Sequence, residues 1–357
     1  MNAARLRRTR SARRGLGVGL LGLLLAAPLT AARAAERPNG THWLQQPDAW
    51  YRSPEARRVA QNVLSFQTPR GDWPKNTDTF SRPFTGDRQA LQGTFDNSAT
   101  VHEIRFLARV HRFTGHADLA AAVRRAVDHL LAAQYPNGGW PQRYPPGHGY
   151  ARYITFNDGV MVNLMELMRA VAHDADFAFL EGGRRERAAA AFARGLECIL
   201  RCQVRVNGRL TVWAAQHDEV TLAPRPARAF EPAALAAAES AGVLRLLLSL
   251  PEPTPEVCAA IRAGAAWFES ARLTGLRQVT RDGDKWIEPD PDAPPLWARF
   301  YEPETLRPVF AGRDGVVKYA LAEIERERRT GYAWYGDWGL AVAREFARWS
   351  ARHADCP

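Results

Sequence analysis

Two short segments of this chain repeat one pattern, Thr94-Phe95-Asp96-Asn97 and Thr155-Phe156-Asn157-Asp158, each at the start of an expected helix. Asp and Asn are favoured helix caps, and a cap alone accounts for one of them. It does not account for an Asx doublet preceded twice by Thr-Phe. Carboxylates with amide neighbours at one edge of a molecule supply hard oxygen ligands for Ca²⁺. Equally, Asp96 and Asp158 supply the acid and base of a glycosidase. Spacing alone leaves these two chemistries nearly even.

Arginines tip the balance. Arg228, Arg299 and Arg313 fall beside aromatic or glycine residues in polar segments, not on solvated helix faces. Pairing within the protein is the ordinary fate of an arginine, and Glu231 offers it to Arg228. Three loop arginines beside candidate metal ligands better fit bidentate capture of carboxylates. A hydrolase of neutral sugars has little use for them, whereas a polyuronate site does. His217 and Asp218, in the segment from Val212 to Asp218, are placed on the substrate-facing wall, with His217 held by hydrogen bonds in preference to shuttling protons. His102, His111, His129 and His148 lack metal-ligand spacing.

These residues need a scaffold, and from residue 55 onward the dominant signal is apolar spacing of period 3.6. Leu119, Val123, Val127 and Leu130 mark one stripe, Val160, Leu164, Leu167 and Val171 another. Apart from Leu210 to Trp213 no alternating strand pattern stands out, so the fold class is all-α. A unit also recurs. Gln67, Gln134 and Gln203 each close a helix, and each is followed by a Gly- or Asn-bearing turn and an aromatic: Trp73, Trp140 and Trp213. The recurrence of these tryptophans at one register favours a core role. A period of about 68 residues gives room for a helical hairpin, and stacked hairpins build a solenoid or a closed toroid. The toroid is expected, with the equivalent loops gathered on one rim. Residues 277–299 are rich in Pro and Asp and read as a long loop over that rim.

The chain has 357 residues, 46% of them hydrophobic, which excludes a disordered polymer. Residues 1–34 read as an export signal: clustered arginines, an apolar stretch from Gly15 to Leu25, and a small-x-small site at Ala32-Arg33-Ala34. The rest, 35–357, reads as a single catalytic domain, exported to the periplasm or beyond. The apolar stretch is too short for a membrane span. Seven arginines of the formal +10 lie in that segment, which leaves +3 and no basic stripe for nucleic acid. Cys198 and Cys202 lie one helical turn apart, a strained spacing for a disulfide, while Cys258 and Cys356 are open to pairing. A monomer without membrane or nucleic-acid partners is expected.

The ordered motifs from about residue 45 to 350 resemble the polysaccharide lyase family 10 pectate lyases. They include Gly71-Asp72-Trp73-Pro74-Lys75-Asn76, Thr94 to Asn97, Arg105-Phe106-Leu107-Ala108 and Tyr135 to Gln142. They continue through Ile154 to Asp158, Thr211 to Asp218, Ala227-Arg228, Arg299-Phe300-Tyr301, Gly312 to Gly315 and Trp334-Tyr335-Gly336. The resemblance implies an (α/α)3-type toroid that cleaves α-1,4-polygalacturonate with Ca²⁺ by β-elimination, giving 4,5-unsaturated oligogalacturonates. It implies Arg228 as the base, Asp96 and Asp158 about the metal, and Asn97, Asp158, Arg299 and Arg313 as substrate contacts. Asp72 replaces a usual Gly, Ala214 an expected Cys, and Ala236-Ala237 a more polar pair, departures that bear on subsite preference. An inverting hydrolase of uronate polymers and a non-catalytic oligogalacturonide-binding protein are the competing readings.

Overall fold

Helices form where the apolar spacing calls for them. In the computed structural model, which describes residues 40–356, they are α1 (Gly40–Leu44), α2 (Pro54–Ser65), α3 (Val101–Thr114), α4 (Ala117–Ala133), α5 (Val160–His173), α6 (Arg184–Cys202), α7 (Ala237–Leu248), α8 (Pro255–Ser270), α9 (Arg326–Thr330) and α10 (Trp338–Arg352). The export segment 1–34 lies outside the described residues. Starts and stops follow local chemistry. Ser53 and Thr254 cap α2 and α8 ahead of a proline in the first turn. Gly115, at φ 71°, ends α3 in the left-handed region that glycine adopts without steric cost.

The helices pack in two rows. In one, α3 meets α5 and α5 meets α7; in the other, α4 meets α6 and α6 meets α8. Pairs α3–α4, α5–α6 and α7–α8 are the hairpins, and α10 packs on α7 and α8.

The recurring Gln and Trp turn out to be the clamps between successive units. Gln67 donates from Nε2 to Gly71 O (3.1 Å) and to Ala122 O of α4 (2.9 Å). Gln134 does the same to Gly138 O and to Ala191 O of α6, at 2.9 and 2.8 Å. Gln203 donates to Thr211 O and to Ala260 O of α8, at 2.9 and 3.1 Å. Each glutamine therefore ties its own turn to an outer helix of the next unit. The tryptophans are fully buried, and their indole N–H groups close off the preceding helix: Trp73 on Val63 O, Trp140 on Leu130 O and Trp213 on Ile199 O, all within 3.0 Å. A fourth, Trp297, does so on Phe268 O at 2.8 Å. Burying an indole is favourable only when its N–H finds an acceptor, and the helix end supplies one.

Connections are short on one side, two residues between α3 and α4, and long on the other, at 66–100, 134–159, 203–236 and 271–337. The long loops carry short ladders: Ile154–Thr155 on Gln216–His217, and Leu235–Ala236 on Phe300–Tyr301, which in turn pairs with Pro308–Ala311. Beneath them lies a separate apolar cluster that includes Phe230, Phe300, Phe310, Ile324 and Trp334. Two expectations are corrected here. The strand near Leu210 is Arg209–Leu210, paired with Arg205–Val206, and stops short of Trp213. The stretch 277–299 is not all loop, because Leu276–Arg281 and Asp284–Pro289 form a hairpin. Its turn, Asp282-Gly283, has positive φ at both residues (52° and 69°), the backbone that Asp-Gly supplies for a two-residue hairpin. Cys258 and Cys356 are disulfide-bonded, while Cys198 and Cys202 are free and buried. Among the described residues no helix is long and apolar enough to cross a membrane.

Candidate active site

Each Asx doublet hangs from its neighbouring units by the same bonds. Thr94 N donates to Trp73 O and Phe95 N to Gln142 O; Thr155 N donates to Trp140 O and Phe156 N to Ala215 O. Phe95 and Phe156 are buried plugs; the first residue of each doublet, Asp96 or Asn157, stays buried, and the second, Asn97 or Asp158, is exposed. The doublets then turn identically. Asn97 has φ 53° and Asp158 φ 50°, left-handed conformations that Asn and Asp tolerate better than other side chains. In the third unit Ala236 N bonds Trp213 O and Ala237 N bonds Arg299 O. Ala236-Ala237 thus stand in for Thr-Phe, and the acid there is Glu239, in the first turn of α7.

The two aspartates converge. Asp96 is buried; its Oδ2 accepts from Lys75 Nζ and from Gln142 Nε2 (3.0 Å), and its Oδ1 has no partner. Asp158 comes within hydrogen-bonding reach of Asp96. Its Oδ2 accepts from Asn157 Nδ2 at 2.9 Å, and its Oδ1 lies 3.9 Å from Arg299 Nη2. Burial, then the charge of Asp96, push its carboxyl up to about 6, against the pull of Arg299. Such crowding of negative charge around a partnerless buried oxygen suits a hard cation. Among the described residues no group of three His, Cys, Asp or Glu could hold one alone. The further donors would be amide oxygens and substrate carboxylates.

Arg299 is 8% exposed and donates from Nη2 to Asn157 Oδ1 (3.0 Å) and to Glu239, under the ring of Tyr332 4.6 Å away. Arg228 is more open. Its Nε donates to Glu231 Oε2 at 2.8 Å and its Nη2 to Glu231 Oε1, while its guanidinium lies 4.8 Å from the Phe230 ring. Arg228 thus has the pairing that its sequence neighbour Glu231 offered. The Glu231 hydrogen bond holds its pKa above the ordinary arginine value, the opposite of the depression that a free base requires. Arg313 is exposed, bonded to Glu327 at 3.0 Å and set 5.8 Å from Phe230. Asn97 reaches Asn76 Oδ1 at 3.2 Å on the exposed rim.

His217 and Asp218 stand apart from this group. The ring of His217 is fully buried, its Nε2 accepting from Ala214 N (3.1 Å) and its Nδ1 facing Leu222 O (2.8 Å). Burial pushes it down to about 4, which keeps it neutral. Asp218 accepts from Val220 N, Thr221 N and Arg225. Both shape the loop wall through its backbone. Sequence reasoning gave no site role to Lys75, Gln142, Asn157, Glu231, Glu239 or Tyr332. Lys75 and Gln142 sit in the quoted motifs, and the Arg228–Glu231 spacing was in view. Gly331-Tyr332 belongs to the motifs that resemble the family, but 101 residues separate Tyr332 from its partner Glu231, so its role there had no local sign.

The family model described as pectic acid lyase matches residues 67–343. A family 10 polysaccharide lyase from Cellvibrio cellulosa superimposes with a TM-score of 0.75 at 37% identity, covering 87% of this chain and 95% of its own. An aspartate-to-alanine mutant of the Cellvibrio enzyme, in complex with trigalacturonic acid, matches at 36% identity with the same TM-score, covering 87% and 96%. Comparison with curated proteins finds no match. This chain belongs to the family 10 pectic acid lyases and is a polysaccharide lyase acting on pectate.

Proposed function

We propose that this lyase cleaves α-1,4-linked polygalacturonate by β-elimination, releasing 4,5-unsaturated oligogalacturonates. The observation that carries this reading is the meeting of Asp96 and Asp158 with Arg299 beside Arg228 and Arg313. A C5 hydrogen next to a carboxylate is poorly acidic, because its removal builds a second negative charge on that group. Cationic groups on the carboxylate offset the developing charge. Arg299, preorganised by Glu239, Asn157 and Tyr332, orients the uronate carboxylate, and Arg313 binds one further along. Arg228 takes the C5 proton and C4 loses its oxygen without attack by water. Ca²⁺ fits the donor set of Asp96 Oδ1 and Asp158, and when bound it would supply Lewis-acid polarisation of the substrate carboxylate.

The match to the family 10 lyases supports elimination over an inverting hydrolase, which would use two carboxyl groups with a water between them. The scaffold of this reading is the (α/α)3-type toroid, supported by the two helix rows, in an exported monomer. Incubation with polygalacturonate, with and without a chelator, tests it. A chelator-sensitive rise in ultraviolet absorbance is expected, whereas new reducing ends without absorbance would refute elimination.

A further inference from the structure

Of the eleven tryptophans only Trp286 is exposed; the other ten are buried or half-buried. It stands on the hairpin of Leu276–Arg281 and Asp284–Pro289, opposite Val279. An indole left facing water forgoes the stabilisation that burial gives such a ring. This one is also braced. The Arg329 guanidinium lies 5.2 Å from its ring centroid, and Arg329 is itself fixed by a forked bond to Asp284, at 3.0 Å from Nε and 2.5 Å from Nη2. The side chains of Arg329 and Asp284 are 12% and 9% exposed, so the brace sits within the protein while the ring stays open to solvent. A ring held in this way loses little freedom when a ligand stacks on it.

The hairpin is fastened to the active-site loops. Lys285 Nζ donates to Tyr332 O at 3.2 Å, and Ile287 packs against the apolar cluster of Phe230, Phe300 and Trp334. Strand alternation turns Trp286, which lies between them, to the opposite face. Beside it is a groove of 520 Å³ bordered by Trp286, Arg281, Asp282, Glu288 and Arg326, a size that suits a small ligand. Glu288 is spent on Arg281 at 2.7 Å, as Asp284 is on Arg329, which leaves Asp282 at the exposed turn. Arg326 gives Nη2 to the Asp282 carbonyl and has no carboxylate partner among the described residues. The helix α9 links this groove to the cleavage site. Arg326 borders the groove, and the next residue, Glu327, bonds Arg313 at 3.0 Å. A chain that presents one carboxylate to Arg313 therefore needs only to continue past α9 to bring a ring onto Trp286. Galacturonan offers, on every residue, a C–H face for the indole and a carboxylate for Arg326.

We propose that Trp286 and Arg326 form an outer binding site for polygalacturonate, holding a uronate residue beyond the one at Arg313. The proposal rests on the reading above, in which Arg313 binds a substrate carboxylate. The outer site makes the enzyme discriminate by length: a polymer engaged at the cleavage site reaches the hairpin, and a trimer does not.

The experiment measures elimination by the parent, Trp286→Ala, Trp286→Phe and Arg326→Ala on polygalacturonate and on trigalacturonate. On the polymer, Trp286→Ala should raise KM about fivefold or more and Arg326→Ala about threefold, with kcat within about twofold. On the trimer, KM and kcat of both variants should stay within about twofold of the parent. Phenylalanine, which keeps a flat ring, should recover most of the lost affinity for the polymer. An unchanged polymer KM in Trp286→Ala overturns the outer site. So does an equal rise on both substrates, which marks a hairpin that only supports the cleavage site. Should Trp286→Ala fail to fold, Arg326→Ala decides on the same readings. Acrylamide quenching of fluorescence separates this proposal from the elimination reading. The quenching that Trp286→Phe lacks reports Trp286, and saturating polygalacturonate should suppress it whether or not the polymer is cut. A protein that shields Trp286 in this way but forms no unsaturated product keeps the outer site and loses elimination. One that eliminates while Trp286 stays fully quenched loses only the outer site.

Discussion

The first and second units of this molecule carry the same loop on the same clamps and put their carboxylates to different use. Both doublets follow a buried Phe, bond the next unit through the same backbone N–H groups, and turn through φ near 50°. In the first unit the acid comes before that turn, as Asp96, and lies buried against Lys75 and Gln142. In the second it comes at the turn, as Asp158, one-third exposed and opposed by the charge of Asp96. Exchanging the order of Asp and Asn within one backbone frame yields one anchored carboxylate and one that burial and like charge hold near neutrality. The third unit abandons the doublet and uses its acid, Glu239, to hold Arg299. A repeat fixed by its clamps is thereby free to vary at its tips.

The largest effects should come from the tips. Asp96→Asn and Asp158→Asn should each lower kcat/KM about 100-fold or more, measured by ultraviolet absorbance on polygalacturonate. Comparable activity in either variant would break the claim that both units serve one site. Next come the clamps. Trp140→Ala, which empties a fully buried site and orphans Leu130 O, should cost about 3–5 kcal/mol in urea unfolding, and Trp73→Ala a similar amount. A much smaller loss would mean that the clamp is not what holds the units together.

A finer prediction concerns metal-free stability. The folded-state pKa of Asp158 is raised to about 6 from 3.8, so its folded form binds more protons and the penalty grows as pH rises through that window. Above it, Asp158→Asn should raise Tm by about 1–2 °C. Asp96→Asn should lower Tm, because Lys75 loses its partner. Shifts of the same sign would contradict the contrast between the two carboxylates. The smallest effect tests the third clamp. Arg125 and Arg194 donate to the Oε1 atoms of Gln67 and Gln134, but Ala263 occupies the equivalent place and Gln203 Oε1 has no partner. Ala263→Arg should add about 0.5–1 kcal/mol, and no gain would show that this acceptor is already satisfied.

Much of this was legible in the sequence, for identifiable reasons. The helices declared themselves through stripes such as Leu119, Val123, Val127 and Leu130, and the units through Gln-to-Trp spacing. The glutamine's role was not legible, because its second acceptor, Ala122 in the first unit, lies 55 residues away. The hairpin at 276–289 was missed although Asp282-Gly283 announces it, since neighbouring prolines dominated the composition. At the site, Asp96, Asp158 and Arg299 were named from local pattern and do meet. His217 and Asp218 share that pattern but spend their polar atoms on backbone and, for Asp218, on Arg225, which no local signal distinguishes. Glu239 reaches the site from the first turn of α7 and Tyr332 from the loop after α9, and only the folded chain brings them there.

The central claim, bond cleavage by elimination at this site, is met most directly by isotope labelling. Trigalacturonate digested in ¹⁸O-water should give products that absorb in the ultraviolet and carry no ¹⁸O fixed by the cleavage itself, as read by mass spectrometry after correction for exchange at the reducing end. One heavy oxygen incorporated per cleaved bond, with no absorbance, would contradict it.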